Sequence, residues 1–314
     1  AASTSTNYNN SAKLIMTGAG ASLNYLSGEI LPHLNIANTS GTVTASVLHG
    51  TNNLTVASLT TEGGSSEFTA PAGTLTITSE NSDGMAFELG AYNSADPSTY
   101  KHSNGTVTIN NHSAPAIHAV VVSGQSTSTD GLYNVIIDGA NTKASTYSGT
   151  NATYIYNNFT VTNGNFKSNG ATNTFTVRGD CLVSAGNMFN TGNAPTGAHA
   201  YGSLTISSGA TYKATNGTTT ITSEGDGSSG TNGYALMATT GAIFTHNGGT
   251  VSIDTDATTV IYIQSATNTF NDLIINNNGN RTQWDGTLTI LGDLTVNASD
   301  TFQADGANNG LTVN

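Results

Sequence analysis

The sequence predicts an all-β fold, an elongated parallel β-solenoid built from repeats. Three observations carry that expectation. Short runs such as Leu204-Thr-Ile206, Thr250-Val-Ser-Ile253 and Leu294-Thr-Val296 alternate apolar residues with Thr, Ser or Asn. That two-residue period belongs to a strand with one buried face. The runs are separated by Gly- and Asn-rich turns, whose residues tolerate positive φ. Finally, an aromatic recurs at a fixed place before Gly-Thr-Φ-Thr/Ser-Ile, where Φ is usually apolar, at Phe68, Tyr100, Tyr212 and Phe244. A ladder of aromatics inside stacked coils explains that constancy. Tandem β-sandwiches are the alternative, because offsets of this size also suit repeated domains.

Composition supports an ordered β-rich chain. Of 314 residues, 8% are charged, five are Pro and 36 are Gly. Disorder commonly needs high charge or abundant Pro, whereas this chain is rich in the β-branched residues that fit a pleated, half-buried surface. The net charge of −12 arises from 19 acidic residues against seven Lys and Arg. Those seven, Lys13, Lys101, Lys143, Lys167, Arg178, Lys213 and Arg281, are scattered singly along the sequence. Nucleic acid and anionic lipid are therefore not expected as partners. The longest apolar tracts, such as 116–122, are strand-sized, so no membrane insertion is expected. Cys181 stands alone, which rules out an internal disulfide.

The repeats set the expected organisation. Phe68–Glu80 matches Tyr212–Glu224, and Tyr100–Ile109 matches Phe244–Ile253, both at one and the same long offset. A second, somewhat shorter offset joins Phe175–Phe189 to Leu288–Phe302. Leu31-Pro-His-Leu-Asn-Ile36, Leu132-Tyr-Asn-Val-Ile-Ile137 and Phe270-Asn-Asp-Leu-Ile-Ile275 open alike. The chain thus reads as an entry and assembly segment over 1–30, then module 1 over 31–131 and module 2 over 132–269, with extra coils around 140–190. Module 3 begins at 270 and is cut off mid-pattern at 314. The expectation is a chain that continues or meets another subunit there, since solenoid ends carry capping repeats. The uncharged segment Asn7–Ala12 and Gly310–Asn314 read as ends ready to pair. The start at Ala1, without Met, reads as a removed leader or the interior of a longer chain.

Phe270–Ile275, Gly286-Thr-Leu-Thr-Ile-Leu-Gly-Asp-Leu-Thr-Val296 and Phe244-Thr-His-Asn-Gly-Gly-Thr-Val251 together resemble the β-strand repeats of bacterial cell-surface proteins and of marine bacteriophage structural fibres. The resemblance covers about residues 31 to 314. It implies a surface, filament or fibre role and supplies no catalytic residues. Module 1 departs from the pattern at Leu31-Pro-His-Leu34, where an aromatic-Asn pair would stand.

No catalytic or metal site is expected, and each candidate has a structural reading. His102 and His246 occupy equivalent repeat positions, but neither has a Cys, Asp or Glu at ligand-like spacing. The simpler expectation is a His bonding a turn carbonyl. His33, His49, His112, His118 and His199 share no pattern and are expected at the surface or in turns. Asp254 and Asp256, two apart on a strand end, would place two carboxylates on one side about 6.5 to 7 Å apart, within the inverting-glycosidase range. Any Asp-x-Asp in a β-protein meets that criterion, so a solvated turn is expected. Asp180 and Asp293 follow Gly in matched turns and are expected to bond their own backbone two residues on. They are also where weak Ca2+ binding would occur, although the Gly-Gly-x-Gly-x-Asp nonapeptide of calcium β-rolls is missing. The second repeat relation sets Cys181 opposite Leu294, an inward position that suits a small buried thiol. Trp284, Tyr154 and Tyr156 are the candidate glycan-binding residues, with Trp284 expected to be partly exposed between Gln283 and Asp285.

These observations favour a non-catalytic structural or adhesive protein located extracellularly, on a cell surface or a virion: a filament, an adhesin stalk or a phage fibre. It is expected to self-associate into a homo-oligomer or filament and to meet surface glycans. A β-helix depolymerase or lyase and a non-catalytic glycan-binding module are the competing readings. Lyase chemistry needs a base and a charge neutraliser, and the sequence shows no converging set of basic residues.

Overall fold

The computed structural model describes residues 12–18, 20–37, 42–49, 52–61, 67–81, 85–89, 99–110, 118–122, 131–140, 142–146, 153–168, 174–189, 197–225, 233–263, 269–307 and 309–314. The regular elements among them are β-strands, with no helix. The chain divides into two compact units, Ala1–Tyr147 with Asn151–Tyr156 and Ser148–Thr150 with Asn157–Asn314. Each is a parallel β-solenoid.

In the first unit the chain visits three parallel sheets in turn. One holds Lys13–Met16, His33–Ile36, Leu59–Thr61, Met85–Leu89, His118–Val122 and Lys143–Thr146. The next holds Ser22–Leu26, Thr42–His49, Glu67–Thr69 and Thr99–Lys101. The third holds Ile30–Leu31, Leu54–Val56, Thr74–Ile77, Thr106–Ile109 and Asn134–Ile137. Each strand pairs with the strand one coil further on. Coil length is not constant: Lys13 meets His33 after a short circuit, whereas Phe87 meets Val120 after a much longer one.

The second unit repeats the plan. Asn165–Lys167, Asn187–Phe189, Thr211–Lys213 and Ile243–Thr245 form one face. Thr218–Ile221, Thr250–Ile253, Asp272–Ile275 and Leu294–Val296 form a second. Tyr234–Ala238, Thr259–Ile263, Arg281–Ile290 and Thr301–Ala304 belong to a third. Strands of a β-sandwich pair antiparallel. The parallel pairing one coil apart therefore replaces the tandem-sandwich alternative.

The alternation read from the sequence becomes columns of like residues. Val56, Ile77, Ile109 and Ile137 stack in register and are fully buried, as are Ile221, Ile253 and Ile275 in the second unit. Removing a buried Ile or Leu side chain from such a core costs about 2–5 kcal/mol. The long repeat offset resolves into a shorter one. Phe68 pairs with Tyr100 and Tyr212 with Phe244, in each case on the very next coil. All four rings are buried, so the aromatic ladder expected from the motif is present in both units.

The Gly of Gly-Thr-Φ-Thr/Ser-Ile is required by close approach. A Cβ on Gly105 would lie 2.6 Å from the carbonyl oxygen of Gly73, and one on Gly249 would lie 2.3 Å from that of Thr215 and 2.5 Å from that of Gly217. At the same corners the Thr106 and Thr250 amides donate to the Gly73 and Gly217 carbonyls at 3.0 Å. Only a residue without a side chain lets one coil corner sit on the next.

Candidate functional site

The two repeat-position histidines build the same turn in each unit. The Asn104 amide donates to His102 Nδ1 and the Gly248 amide to His246 Nδ1, both at 2.9 Å. Ser103, Asn104, Asn247 and Gly248 all have positive φ, and the histidine ring satisfies an amide that this left-handed turn turns away from the ladder. The ring accepts an N–H at Nδ1, which places the proton of the neutral imidazole on Nε2. Outside this turn the two rings differ. His102 is buried and lies 4.9 Å from Tyr133, whose ring lies 5.9 Å from Tyr156 at 22°. His246 is half-buried.

Asp254 and Asp256 are occupied by the next coil. Asn276 Nδ2 donates to Asp254 Oδ1 at 2.9 Å, and Asn278 Nδ2 to Asp256 Oδ1 at 3.1 Å. The ladder goes on, since Asn297 Nδ2 donates to Asn276 Oδ1 at 2.7 Å. Beside it the fully buried Asn277 donates to the Ala257 carbonyl and to Thr282 Oγ1 while accepting from Thr255 Oγ1. The pair marks a seam between coils.

Asp180 and Asp293 bond differently from the sequence expectation. The Asp180 amide donates to Asn158 Oδ1 at 2.8 Å and the Asp293 amide to Asp272 Oδ1 at 2.9 Å, in each case one coil back. The Thr74 amide donates to Asn53 Oδ1 in the same way. Each donor follows a glycine whose Cβ would come within 2.3 to 2.4 Å of that acceptor oxygen. An Asx at a strand start thus clips to a Gly-x corner on the following coil. Sequence reasoning missed the clip, although its signal was visible in Asn53-Leu-Thr-Val56 followed by Gly73-Thr-Leu-Thr-Ile77. The Asp180 carboxylate is itself used, accepting from Ser203 Oγ at 2.7 Å. Among the described residues no group of three or more His, Cys, Asp or Glu side chains is arranged to hold a metal ion.

The glycan candidates fall in three different settings. Trp284 is 9% exposed and packs on Phe302 with ring centroids 4.5 Å apart, so the partial exposure expected of it is corrected. Its strand turns it inward, against Ile261 on one side and Ala304 on the other. Tyr154 points outward from its strand and is half-buried. Tyr156 is half-buried too, with one ring face covered by Tyr133. Cys181 is fully buried between Phe159 and Leu204, with its Sγ 3.9 Å from Met188 Sδ. Burial, with Asp180 adding to it, pushes the thiol pKa up, so it is held as a neutral thiol.

His33 and His199 are buried, not at the surface, while His112 and the side chains of His49 and His118 lie outside the described residues. His33 Nδ1 meets Ser58 Oγ at 2.7 Å, and burial, then the Lys13 charge, lowers its pKa. His199 stands in a buried polar chain: its Nε2 is 3.4 Å from Ser168 Oγ, its Nδ1 3.1 Å from Tyr201 Oη, and Tyr212 Oη donates to Tyr201 Oη at 3.2 Å. Desolvation pulls the His199 pKa down to about 3. A serine beside a histidine invites a nucleophilic reading, but Ser168 is 5% exposed and the chain runs inward to fully buried tyrosines. It is a satisfied internal network.

Some aromatics face outward without any sequence signal. Tyr234 and Tyr262 sit edge to face at 5.3 Å, with Asp285 on the coil after Tyr262. No family model matches the chain, and no curated protein or solved structure is significantly similar to it.

Proposed function

We propose that this chain is a non-catalytic structural and adhesive repeat protein of an extracellular surface, of the kind found in cell-surface filaments, adhesin stalks and phage fibres. The observation that carries the reading is the use made of its polar side chains. The Asn, Asp, Ser and Thr groups that could have converged on a substrate instead bond the equivalent position one coil away. Examples are Asn276 to Asp254, Asn297 to Asn276, Ser203 to Asp180 and Asn187 Nδ2 to Asn165 Oδ1. Such rungs join successive coils and leave the carboxylates engaged. The acidic balance keeps like surfaces apart in solution.

The test is a turnover assay on neutral and acidic polysaccharides, reading new reducing ends and unsaturated uronates. The expected result is no product from the purified chain. Product formation abolished by Asp254→Asn with Asp256→Asn would overturn the proposal in favour of the depolymerase reading.

A further inference from the structure

Two of the seven basic residues that look solitary in the sequence are brought together in the second unit. On the face formed by Asn165–Lys167, Asn187–Phe189, Thr211–Lys213 and Ile243–Thr245, the register runs Lys167 to Phe189 to Lys213. The middle residue of each strand, Phe166, Met188, Tyr212 or Phe244, is buried, so the flanking residues point outward. Two coil spacings separate the lysines, about 9.5 Å of backbone. Phe189 lies half-buried between them.

The outward positions of this face are Asn165, Lys167, Asn187, Phe189, Thr211, Lys213, Ile243 and Thr245, none of them a carboxylate. This gives a local positive strip on a chain of net charge −12. At physiological ionic strength charges more than about 8 Å away are largely screened, so the local sign governs what docks there. Lys101 in the first unit is different, since its Nζ is held by Glu67 Oε1 at 2.8 Å. Neither Lys167 nor Lys213 has an ion-pair partner among the described residues.

We infer that this strip is a binding site for an extended anionic polysaccharide, a polyuronate or a sulfated glycan. The two ammonium groups take carboxylates or sulfates spaced along the polymer, and the Phe189 ring takes the apolar face of the sugar between them. Asn165 and Asn187, already bonded to each other at 2.8 Å, border the strip with amide edges suited to sugar hydroxyls. The inference rests on the adhesive reading and gives it a ligand class. A lysine pair and one ring at an open surface make a weak site, and many copies along a polymer or an array would raise its avidity.

The test uses the full chain with immobilised polygalacturonate, dextran sulfate and uncharged dextran at low and physiological salt. The wild type is expected to be retained by the two polyanions, less so as salt rises, and not by dextran. Lys167→Gln with Lys213→Gln is expected to weaken retention about tenfold, because both charge-assisted contacts go. Phe189→Ala should weaken it a few-fold, while Lys101→Gln and the charge-preserving Lys167→Arg with Lys213→Arg leave it intact. All of these side chains point outward, and a thermal melt confirms that each variant is folded. Failure of the wild type to bind either polyanion, equal binding of uncharged dextran, or wild-type retention by the double Gln variant would each overturn the strip. Shortening of the polymer in the same incubations would instead overturn the non-catalytic reading, so the two failures are distinguishable.

Discussion

The coil pair Phe68–Tyr100 in the first unit and the coil pair Tyr212–Phe244 in the second carry one motif and one backbone solution. In both, the amide two positions beyond the first aromatic, Ala70 or Ala214, donates to the next coil, to the Lys101 carbonyl at 2.9 Å or the Thr245 carbonyl at 2.8 Å. In both, the second coil turns on a histidine and closes on a glycine without room for a Cβ. What differs is the decoration. Phe68 has no hydroxyl, whereas Tyr212 extends a buried polar chain through Tyr201 to His199. Lys101 is paired with Glu67, while its counterpart in the second unit is Thr245. His102 lies under a tyrosine stack, and among the described residues His246 has no such stack. The motif fixes how one coil sits on the next, and the positions it leaves open are where the units diverge.

The largest expected effect tests the shared part. Gly249→Ala drives a methyl into two backbone carbonyls and is expected to cost about 2–4 kcal/mol, with Gly105→Ala close behind. Gly248→Ala, next door, has nothing within 4 Å and pays only for its positive φ, about 1 kcal/mol. Denaturant titration ranks the three. Equal losses at Gly248 and Gly249 would mean that close approach is not what the motif glycine provides.

A smaller effect tests the divergent interior of the second unit. His199 has an ordinary pKa of 6.5 and a folded value of about 3. Below pH 6.5 the unfolded chain takes up a proton that the folded chain refuses, so stability is complete above that value and falls as the pH drops towards 3. At pH 5 the loss is about 2 kcal/mol. Thermal melts from pH 7 to 4 are expected to show a shallower acid dependence for His199→Gln than for the wild type. Parallel curves would show that His199 is not the group refusing the proton.

The smallest effect separates the two histidine turns. His246→Ala should lose about 1 kcal/mol, the value of one satisfied turn amide. His102→Ala should lose that and about 0.5–1.5 kcal/mol more, because the Tyr133 contact goes with it. Melts of the two variants check the difference, and equal losses would leave the tyrosine stack without energetic weight.

Much of the fold was legible in the residues themselves. The period-two runs gave the buried columns of Ile77, Ile109, Ile221 and Ile253, and the constant aromatic gave the ladder of Phe68, Tyr100, Tyr212 and Phe244. Both are local rules, since a strand side chain's face follows from its parity and a corner glycine from the space at that corner. The candidate sites were less legible. Trp284 has polar neighbours along the chain and an apolar partner, Phe302, one coil on. Asp254 and Asp256 read as carboxylates of a solvated turn and are exposed there, but their Asn276 and Asn278 partners on the next coil carry no sequence signal.

What the sequence determined on its own is which residues point inward and where the chain turns. Only the tertiary structure decided which coil positions meet, because the distance to the partner is the sum of turn lengths that vary from coil to coil, as the short circuit from Lys13 to His33 and the long one from Phe87 to Val120 show. A one-residue slip in the pairing of a strand would turn its outward residues inward, and turns of unequal length absorb the difference so that Val56, Ile77, Ile109 and Ile137 stay in register. For that reason the His199 chain and the stacking of Lys167 and Lys213 around Phe189 could not be read from spacing, although every residue in them was in plain view.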